Sequence, residues 1–234
     1  MKHPSSENCL FEIPVPGTGR SVDAWYLARG FRAIAGVDEA GRGALAGPVC
    51  AAAVVLGDSA IEGLDDSKLL TPVSREDLFV KIWEKARCVG VAFVSPEIID
   101  NVNILRASLE AMRLALEMLP DAPDIVLADG NQTPPTRFSC VALVHGDRRS
   151  ESIMAASIIA KVSRDSYMRR VAKEYPGYGF EEHKGYGVPA HHRAMDLMGL
   201  CPLHRRSYSP CRAVADLKGD PSANKRQLIP GSQE

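Results

Sequence analysis

Four acidic side chains follow apolar segments that have the character of β-strands. They are Asp38 and Glu39 after one segment, Asp129 after a second and Asp147 after a third. Carboxylates at the ends of adjacent strands of an α/β sheet can converge on one crevice. Because clustered carboxylates repel one another, they stay ionised together only beside cations. Oxygen-only ligands favour Mg²⁺ or Mn²⁺ over zinc. The pattern therefore predicts one or two divalent ions, which could clamp the attacking and leaving oxygens of a phosphodiester.

Each of these acids has an ordinary structural explanation as well. Asp-Gly and Gly-Asp are common turn dipeptides, so a single acid at such a place can simply cap a turn. The pair Asp38 and Glu39 fits that explanation less well, because two adjacent acids after an apolar strand are costly near a core without a cation. The pair also opens the segment Asp-Glu-Ala-Gly-Arg-Gly, which ends at Gly43. Backbone amides of a glycine-rich loop, together with Arg42, suit phosphate or sugar oxygens.

The elements that must position these residues can be predicted from apolar runs and capping signals. Five apolar runs predict strands at Phe31–Val37, Val49–Leu56, Cys88–Val94, Asp124–Ala128 and Cys140–Val144. Helices are predicted at Ser74–Arg87, from Ser95 with a bend near Asn101–Asn103, at Ser152–Glu174 and at Pro189–Met198. The first three strands suggest an antiparallel meander, and the later strands alternate with helices as in parallel crossovers. We expect an α/β fold with a mixed sheet, flanking helices and a helical C-terminal region at about 175–217.

Composition limits the class of protein and its organisation. The 234 residues are 45% hydrophobic and 24% charged, as in a globular domain, and no apolar run reaches the ~20 residues of a membrane span. Residues 1–30 resemble no secretory signal, and they predict a loosely ordered extension with one short element near Trp25. The ordered body is expected at 31–217 and a disordered tail at 218–234. The six cysteines contain no C-x-x-C pair, which argues against structural zinc or disulfides and favours the cytoplasm.

The net charge of -1 conceals an asymmetry along the chain. Residues 1–147 have a balance of -7 and residues 148–218 a balance of +6. An acidic first part and a basic second part are consistent with a cation site beside a surface that binds a polyanion. Chance variation along a chain explains such a difference equally well.

Seven short motifs, taken in order, resemble the bacterial ribonuclease HII family. They are Asp38–Gly43, Asp66–Lys68, Ala128–Gly130, Gly146–Asp147, Ala155–Lys161, His183–Tyr186 and His204–Ser207. The resemblance covers roughly residues 31–215. It implies a ribonuclease H-like fold, in which a mixed sheet of three antiparallel and two parallel strands is flanked by helices. It also implies a monomer with no membrane association.

The resemblance implies an endonuclease that cuts the RNA strand of RNA–DNA hybrids. It further implies incision of duplex DNA on the 5′ side of a single ribonucleotide, with 3′-hydroxyl and 5′-phosphate products and a role in DNA repair. The metal-binding and catalytic acids of the family map onto Asp38, Glu39, Asp129 and Asp147, with Mn²⁺ or Mg²⁺ as cofactor. Its 2′-hydroxyl sensor maps onto Gly41, Arg42 and Gly43. The tyrosine that stacks on the neighbouring sugar maps onto Tyr186.

Several basic residues are further candidates for substrate binding. Lys68 could contact a phosphate, although Leu69 stands where the family commonly has a second lysine. Basic clusters are usually solvated faces, but here they match family motifs, so we predict backbone contacts for the substrate from Lys184, Arg205 and Arg206. Asp165 lies four residues from Lys161, which is ion-pair spacing.

Two further expectations concern packing. The small residues Ala155, Ala156, Ser157 and Ala160 could let the long helix pack closely against the sheet or let a phosphate approach, and we favour packing. His191 and His192 have no cysteine or suitably spaced third histidine beside them, so we expect exposed side chains rather than metal ligands.

Three other functions remain open on the sequence. A resolvase, transposase or integrase domain of the same broad fold would also use clustered carboxylates, but would be indifferent to a ribose. A non-catalytic nucleic-acid-binding module would use only the basic part of the chain. A hydrolase of small phosphorylated metabolites would need the metal site but no surface for a polyanion.

Overall fold

One mixed sheet forms the centre of the computed structural model, which describes residues 21–64, 67 and 70–219. Its strands are β1 Ile34–Ala40, β2 Val49–Leu56, β3 Ala86–Val94, β4 Ile125–Asp129 and β5 Cys140–Leu143. The strand order is β3-β2-β1-β4-β5. Strand β2 pairs antiparallel with β1 and β3, whereas β4 pairs parallel with β1 and β5. The predicted sheet of three antiparallel and two parallel strands is confirmed.

Helices cover both faces of this sheet. Among the described residues they are α1 Ser21–Leu27, α2 Pro72–Lys85, α3 Pro96–Val102, α4 Ile104–Glu117, α5 Glu151–Val171, α6 Phe180–His183, α7 Pro189–Met198 and α8 Ser209–Leu217. Residues on the two sides of β2 enter two different cores, because Ala53 packs with α4 and Val54 packs with α2 and α5. A strand buried on both faces reads as a continuous apolar run, which is why β2 is so clear in the sequence. No helix in these ranges is long and apolar enough to cross a membrane.

Helix α5 lies directly against β1, the strand that carries Asp38 and Glu39. A Cβ atom on Gly36 of β1 would lie 2.0 Å from the main-chain carbon of Ser152. Glycine is therefore required for this close approach. Ala155, Ala156 and Ala160 are completely buried, which confirms the expected packing of the small residues on this helix.

The helix boundaries correct one detail of the sequence prediction and confirm another. Helix α2 begins at Pro72 instead of Ser74, because the Thr71 hydroxyl accepts a hydrogen bond from the Ser74 amide at 3.1 Å. Proline fits the first turn of a helix, so it does not delay the start. The predicted bend lies at Asn103, whose φ of 72° ends α3 and whose side chain caps α4.

The short element predicted near Trp25 is helix α1. Val22 and Tyr26 of this helix are buried against Ile34 and Leu127. The Asp23 carboxylate accepts hydrogen bonds from the amides of Glu151 and Ser152, at 2.9 and 3.2 Å. Val22, Asp23 and Tyr26 of helix α1 are therefore buried, whereas residues 27–30 are exposed. Residues 1–20 and 220–234, including most of the predicted tail, lie outside the described ranges.

Candidate active site

Three of the four predicted acids border one cleft at the end of the sheet. Asp38 and Glu39 lie on β1, and Asp129 is the last residue of β4. Strands β1 and β4 are parallel, and Val37 pairs in register with Ala128. The next residues, Asp38 and Asp129, therefore lie side by side on neighbouring strands. The cleft has a volume of about 320 Å³, and all three acids line it. The parallel pairing thus produces the convergence that the sequence predicted.

The electrostatics of this cleft are those of crowded, buried carboxylates. Asp38 is only 5% exposed, and burial raises its pKa well above the ordinary value. The charges of Glu39 and Asp129 raise that pKa further, whereas hydrogen bonds from the Ser157 hydroxyl and the Glu39 amide oppose the shift. Burial also raises the pKa of Glu39, although Arg42 opposes this through a 3.1 Å ion pair. The anionic forms are therefore destabilised, and a bound cation would relieve the repulsion.

Asp147, the fourth predicted acid, does not line the cleft. It lies in a 3₁₀ turn, Gly146–Arg148, that follows β5, and it is 3% exposed. The preceding Gly146 amide donates a 2.7 Å hydrogen bond to Asp129 Oδ1, so the turn is tied to the site. A metal-ligating role for Asp147 stays a prediction.

The donor set fits a hard divalent cation by its chemistry. The three acids of the cleft offer only carboxylate oxygens, which suit Mg²⁺ or Mn²⁺. Within the described ranges, no group of three or more His, Cys, Asp or Glu side chains has a geometry that could already hold a metal ion. The carboxylates are thus gathered at one place, without the geometry of a completed coordination sphere.

The glycine-rich loop and Tyr186 form another part of the same cleft. Gly41 and Arg42 line it together with Tyr186, and Gly43 is exposed beside them. An antiparallel bridge between Ala44 and Tyr186 joins the two segments. The structure therefore brings together the predicted 2′-hydroxyl sensor, the predicted stacking tyrosine and the acids.

The predicted basic residues are placed less uniformly. Lys68 lies outside the described residues. Lys184 is half-buried, and its ammonium group donates hydrogen bonds to the carbonyls of Glu181 and Glu182. Arg206 is half-buried in a turn that Asp100 holds through the Arg206 amide at 2.9 Å.

Arg205 corrects the prediction of a direct contact with the substrate. Its side chain is completely buried, and its guanidinium donates to main-chain carbonyls and to the Tyr208 hydroxyl. A guanidinium enclosed in this way cannot meet a phosphate. The sequence could not reveal this, because a basic cluster gives no sign of which member is buried.

His191 is a second correction, since it is completely buried instead of exposed. Its Nδ1 lies 3.0 Å from the Tyr186 carbonyl, and its Nε2 lies 3.1 Å from Nε2 of His204. Two polar partners inside the protein make burial of the neutral ring possible. His192, the next residue, is half-exposed.

Several residues of the site region were not singled out as site residues from the sequence. Ser157, Lys161 and Arg75 line the cleft, and Arg164 lies behind the glycine-rich loop. Lys161 forms the predicted ion pair with Asp165, at 2.9 Å. Helical spacing gives a signal for part of this set, because Ser157, Lys161 and Arg164 follow at intervals of four and three residues along α5.

Comparisons with known proteins agree with this fold. A family model described as Ribonuclease HII matches residues 35–211. The Ribonuclease HII of Agrobacterium fabrum is 51% identical over 205 residues, which are 87% of this chain and 94% of that protein. The Ribonuclease HII of Geobacter sulfurreducens is 50% identical over 185 residues, 79% of this chain and 85% of its own.

Solved structures share the fold. The crystal structure of ribonuclease H2 from Pyrococcus horikoshii OT3 is 29% identical, with a TM-score of 0.68, and the match covers 81% of this chain and all of that one. Bst-RNase HIII in complex with Mn²⁺ has a TM-score of 0.61 at 16% identity, over 84% of this chain and 73% of its own.

The mixed sheet and the acids on its central strands define a nuclease of the ribonuclease H-like fold. The family match spans most of the chain, and relatives of about half-identical sequence span nearly the same residues. The chain belongs to the ribonuclease HII family. It is therefore a ribonuclease H, an endonuclease that degrades the RNA strand of RNA–DNA hybrids.

Proposed function

We propose that this ribonuclease H also incises duplex DNA on the 5′ side of a single embedded ribonucleotide, and so serves ribonucleotide removal from DNA. The observation that carries the proposal is the position of Gly41, Arg42 and Tyr186 in the cleft of the acids. The 2′-hydroxyl distinguishes RNA from DNA because it both donates and accepts hydrogen bonds. A glycine-rich backbone can meet this group closely, and a tyrosine ring can pack on the adjacent deoxyribose.

The acids supply the catalytic part of the proposal. Asp38, Glu39, Asp129 and Asp147 would hold one or two Mn²⁺ or Mg²⁺ ions. When bound, two such ions supply positive charge opposite the attacking and leaving oxygens of an in-line displacement, giving 3′-hydroxyl and 5′-phosphate ends. Arg42 and Glu39 form an ion pair at the mouth of the cleft, where Arg42 is half-exposed and can reach a substrate phosphate.

The test compares a DNA duplex that contains one ribonucleotide with the same duplex made only of DNA. Each is incubated with Mg²⁺, Mn²⁺ or EDTA and with wild type, Asp38→Asn or the control Asp196→Asn, which changes an exposed acid on α7. We expect a metal-dependent cut on the 5′ side of the ribose. Asp38→Asn should reduce the rate by at least about 10²-fold because it removes a charged ligand, whereas Asp196→Asn should retain full activity.

Other outcomes would select the alternatives. Equal cutting of both duplexes would place the activity with resolvases or transposases that ignore the ribose. Binding of both duplexes without cutting, at any concentration of either metal, would leave a binding module.

A further inference from the structure

Two arginines are completely buried behind the predicted ribose-sensing segments. Arg164 comes from the long helix α5, and Arg205 comes from the turn before α8. Burial lowers the pKa of both groups, yet a guanidinium stays protonated in proteins. Burying a charge is costly unless hydrogen bonds satisfy it. The hydrogen-bond partners of these two guanidinium groups therefore indicate their structural role.

Arg164 connects the two walls of the ribose-sensing part of the cleft. Its Nε and Nη2 donate to the carbonyls of Pro48 and Ala46, at 2.9 and 3.0 Å, just after the glycine-rich loop. Its Nη1 donates to the carbonyl of Lys184 at 3.1 Å, two residues before Tyr186. The guanidinium carbon also lies 5.3 Å from the centre of the Tyr186 ring. One rigid planar group thus fixes the loop relative to the tyrosine.

Arg205 holds the loop from the other side. Its Nη2 and Nη1 donate to the carbonyls of Gly41 and Arg42, at 2.7 and 2.8 Å, and its Nε donates to Gly47 at 3.0 Å. The Tyr208 hydroxyl accepts from Arg205 Nη1 at 3.0 Å and donates to the Arg42 carbonyl at 2.7 Å. Because the carbonyls of Gly41 and Arg42 point toward Arg205, the orientation of the corresponding peptide planes in the loop is fixed.

Gly41 shows how closely the loop sits on this framework. Its φ is 96°, and a Cβ atom there would lie 1.9 Å from Nε of Arg164. The loop backbone therefore rests directly on the guanidinium group. A change in the shape or position of that group must move the loop.

We propose that Arg164 and Arg205 are positioning residues that set the selectivity for a ribonucleotide by fixing the glycine-rich loop relative to Tyr186. This inference rests on the function proposed above. Both side chains are completely buried, so neither arginine presents a group for direct contact with a substrate. Lysine cannot replace them, because it carries one flexible ammonium group instead of a planar fork with five donors.

The experiment measures the ratio of kcat/KM for two substrates on the same enzyme preparation. One substrate is a DNA duplex with a single ribonucleotide, and the other is an RNA–DNA hybrid with many ribonucleotides, where several registers can be cut. Arg164→Lys and Arg205→Lys should lower the ratio about tenfold or more, since small misplacements of positioning groups have effects of this size. Arg170→Gln and Arg212→Gln, which change exposed arginines on α5 and α8, should leave it unchanged.

The ratio does not depend on how much of a variant is folded, because both substrates report on the same active molecules. If a lysine variant yields no folded protein, Tyr208→Phe replaces it. This variant removes only the hydroxyl that joins Arg205 to the Arg42 carbonyl, and it should lower the ratio in the same direction by a smaller factor. Equal loss of activity on both substrates, or an unchanged ratio in Tyr208→Phe when the lysine variants do not fold, would overturn the inference. A wild-type enzyme that ignores the single ribose would instead refute the proposed function.

Discussion

Gly41 and Gly43 flank the same arginine, yet their surroundings differ completely. Gly41 is buried with a φ of 96° and touches Arg164, whereas a Cβ atom on Gly43 would meet nothing within 4 Å. Only the first of these glycines is required by the folded structure. The second is free of internal constraint, so a requirement for glycine at that position depends on the proposed contact with the substrate.

This contrast gives a prediction for two matched substitutions. Gly41→Ala should lower the free energy of unfolding by about 1–3 kcal/mol, because alanine is strained at that φ and collides with Arg164. Gly43→Ala should change it by less than about 0.5 kcal/mol, but should slow cleavage beside a single ribonucleotide. Urea unfolding and cleavage assays on both variants check this. A Gly43→Ala enzyme with full activity would show that the loop does not approach the substrate at Gly43.

At the scale of elements, helix α5 organises the site, since it carries Ser157, Lys161 and Arg164 toward the cleft. Its first turn is held by Asp23 of α1 in addition to its own N-cap, Ser150. A carboxylate at a helix N-terminus satisfies free amides and interacts favourably with the helix dipole. The N-terminal helix thus contributes to the position of catalytic elements more than 100 residues later in the chain.

Asp23→Ala should therefore lower the free energy of unfolding by about 1–2 kcal/mol. Asp216→Ala serves as the control, because it removes an exposed acid from α8. Thermal or chemical unfolding measures both. Equal stability of Asp23→Ala and wild type would mean that α1 does not hold α5 in solution.

A second feature that involves several elements is the hydrogen-bonded pair of neutral histidines, His191 and His204, behind Tyr186. Since a carbonyl can only accept, His191 donates from Nδ1 to Tyr186 and must accept at Nε2. His204 therefore donates from Nε2 and accepts from the Cys201 amide at Nδ1, 2.9 Å away. Protonation of either ring would put two donors face to face. Burial accordingly lowers the pKa of both histidines to about 4.

For the whole molecule, these histidines make stability depend on pH. Above the ordinary pKa of about 6.5 both are neutral in the folded and the unfolded chain. Between about 6.5 and about 4 the unfolded chain binds protons that the folded chain does not, so stability falls as the pH falls. The expected loss is on the order of 2 kcal/mol for each histidine between pH 7 and pH 5.

Urea unfolding of wild type, His204→Gln and the control His192→Gln at pH 7 and pH 5 tests this. The His204 variant should be less stable at pH 7 but should lose less on acidification, whereas the control should follow wild type. Identical losses in all three proteins would assign the acid sensitivity to other groups.

The sequence predicts those parts of the molecule that depend on local pattern. The strands that carry Asp38 and Asp129 are apolar runs followed by an acid, and both features can be recognised from the sequence alone. Arg205 and His191 were predicted wrongly because burial depends on packing between segments far apart in the chain. Arg205, for example, is buried by carbonyls about 160 residues earlier, and local composition carries no trace of that contact.

The central position of β1 also has a consequence for biosynthesis. This strand pairs with β2, which follows it within ten residues, and with β4, which follows only after α4. A chain emerging from the ribosome can form the antiparallel meander first, since such local pairings need little loop closure. At that stage it presents Asp38 and Glu39 alone. The third acid, helix α5 and Tyr186 arrive only with later segments, so a nascent chain lacks the complete cleft until most of it has been synthesised.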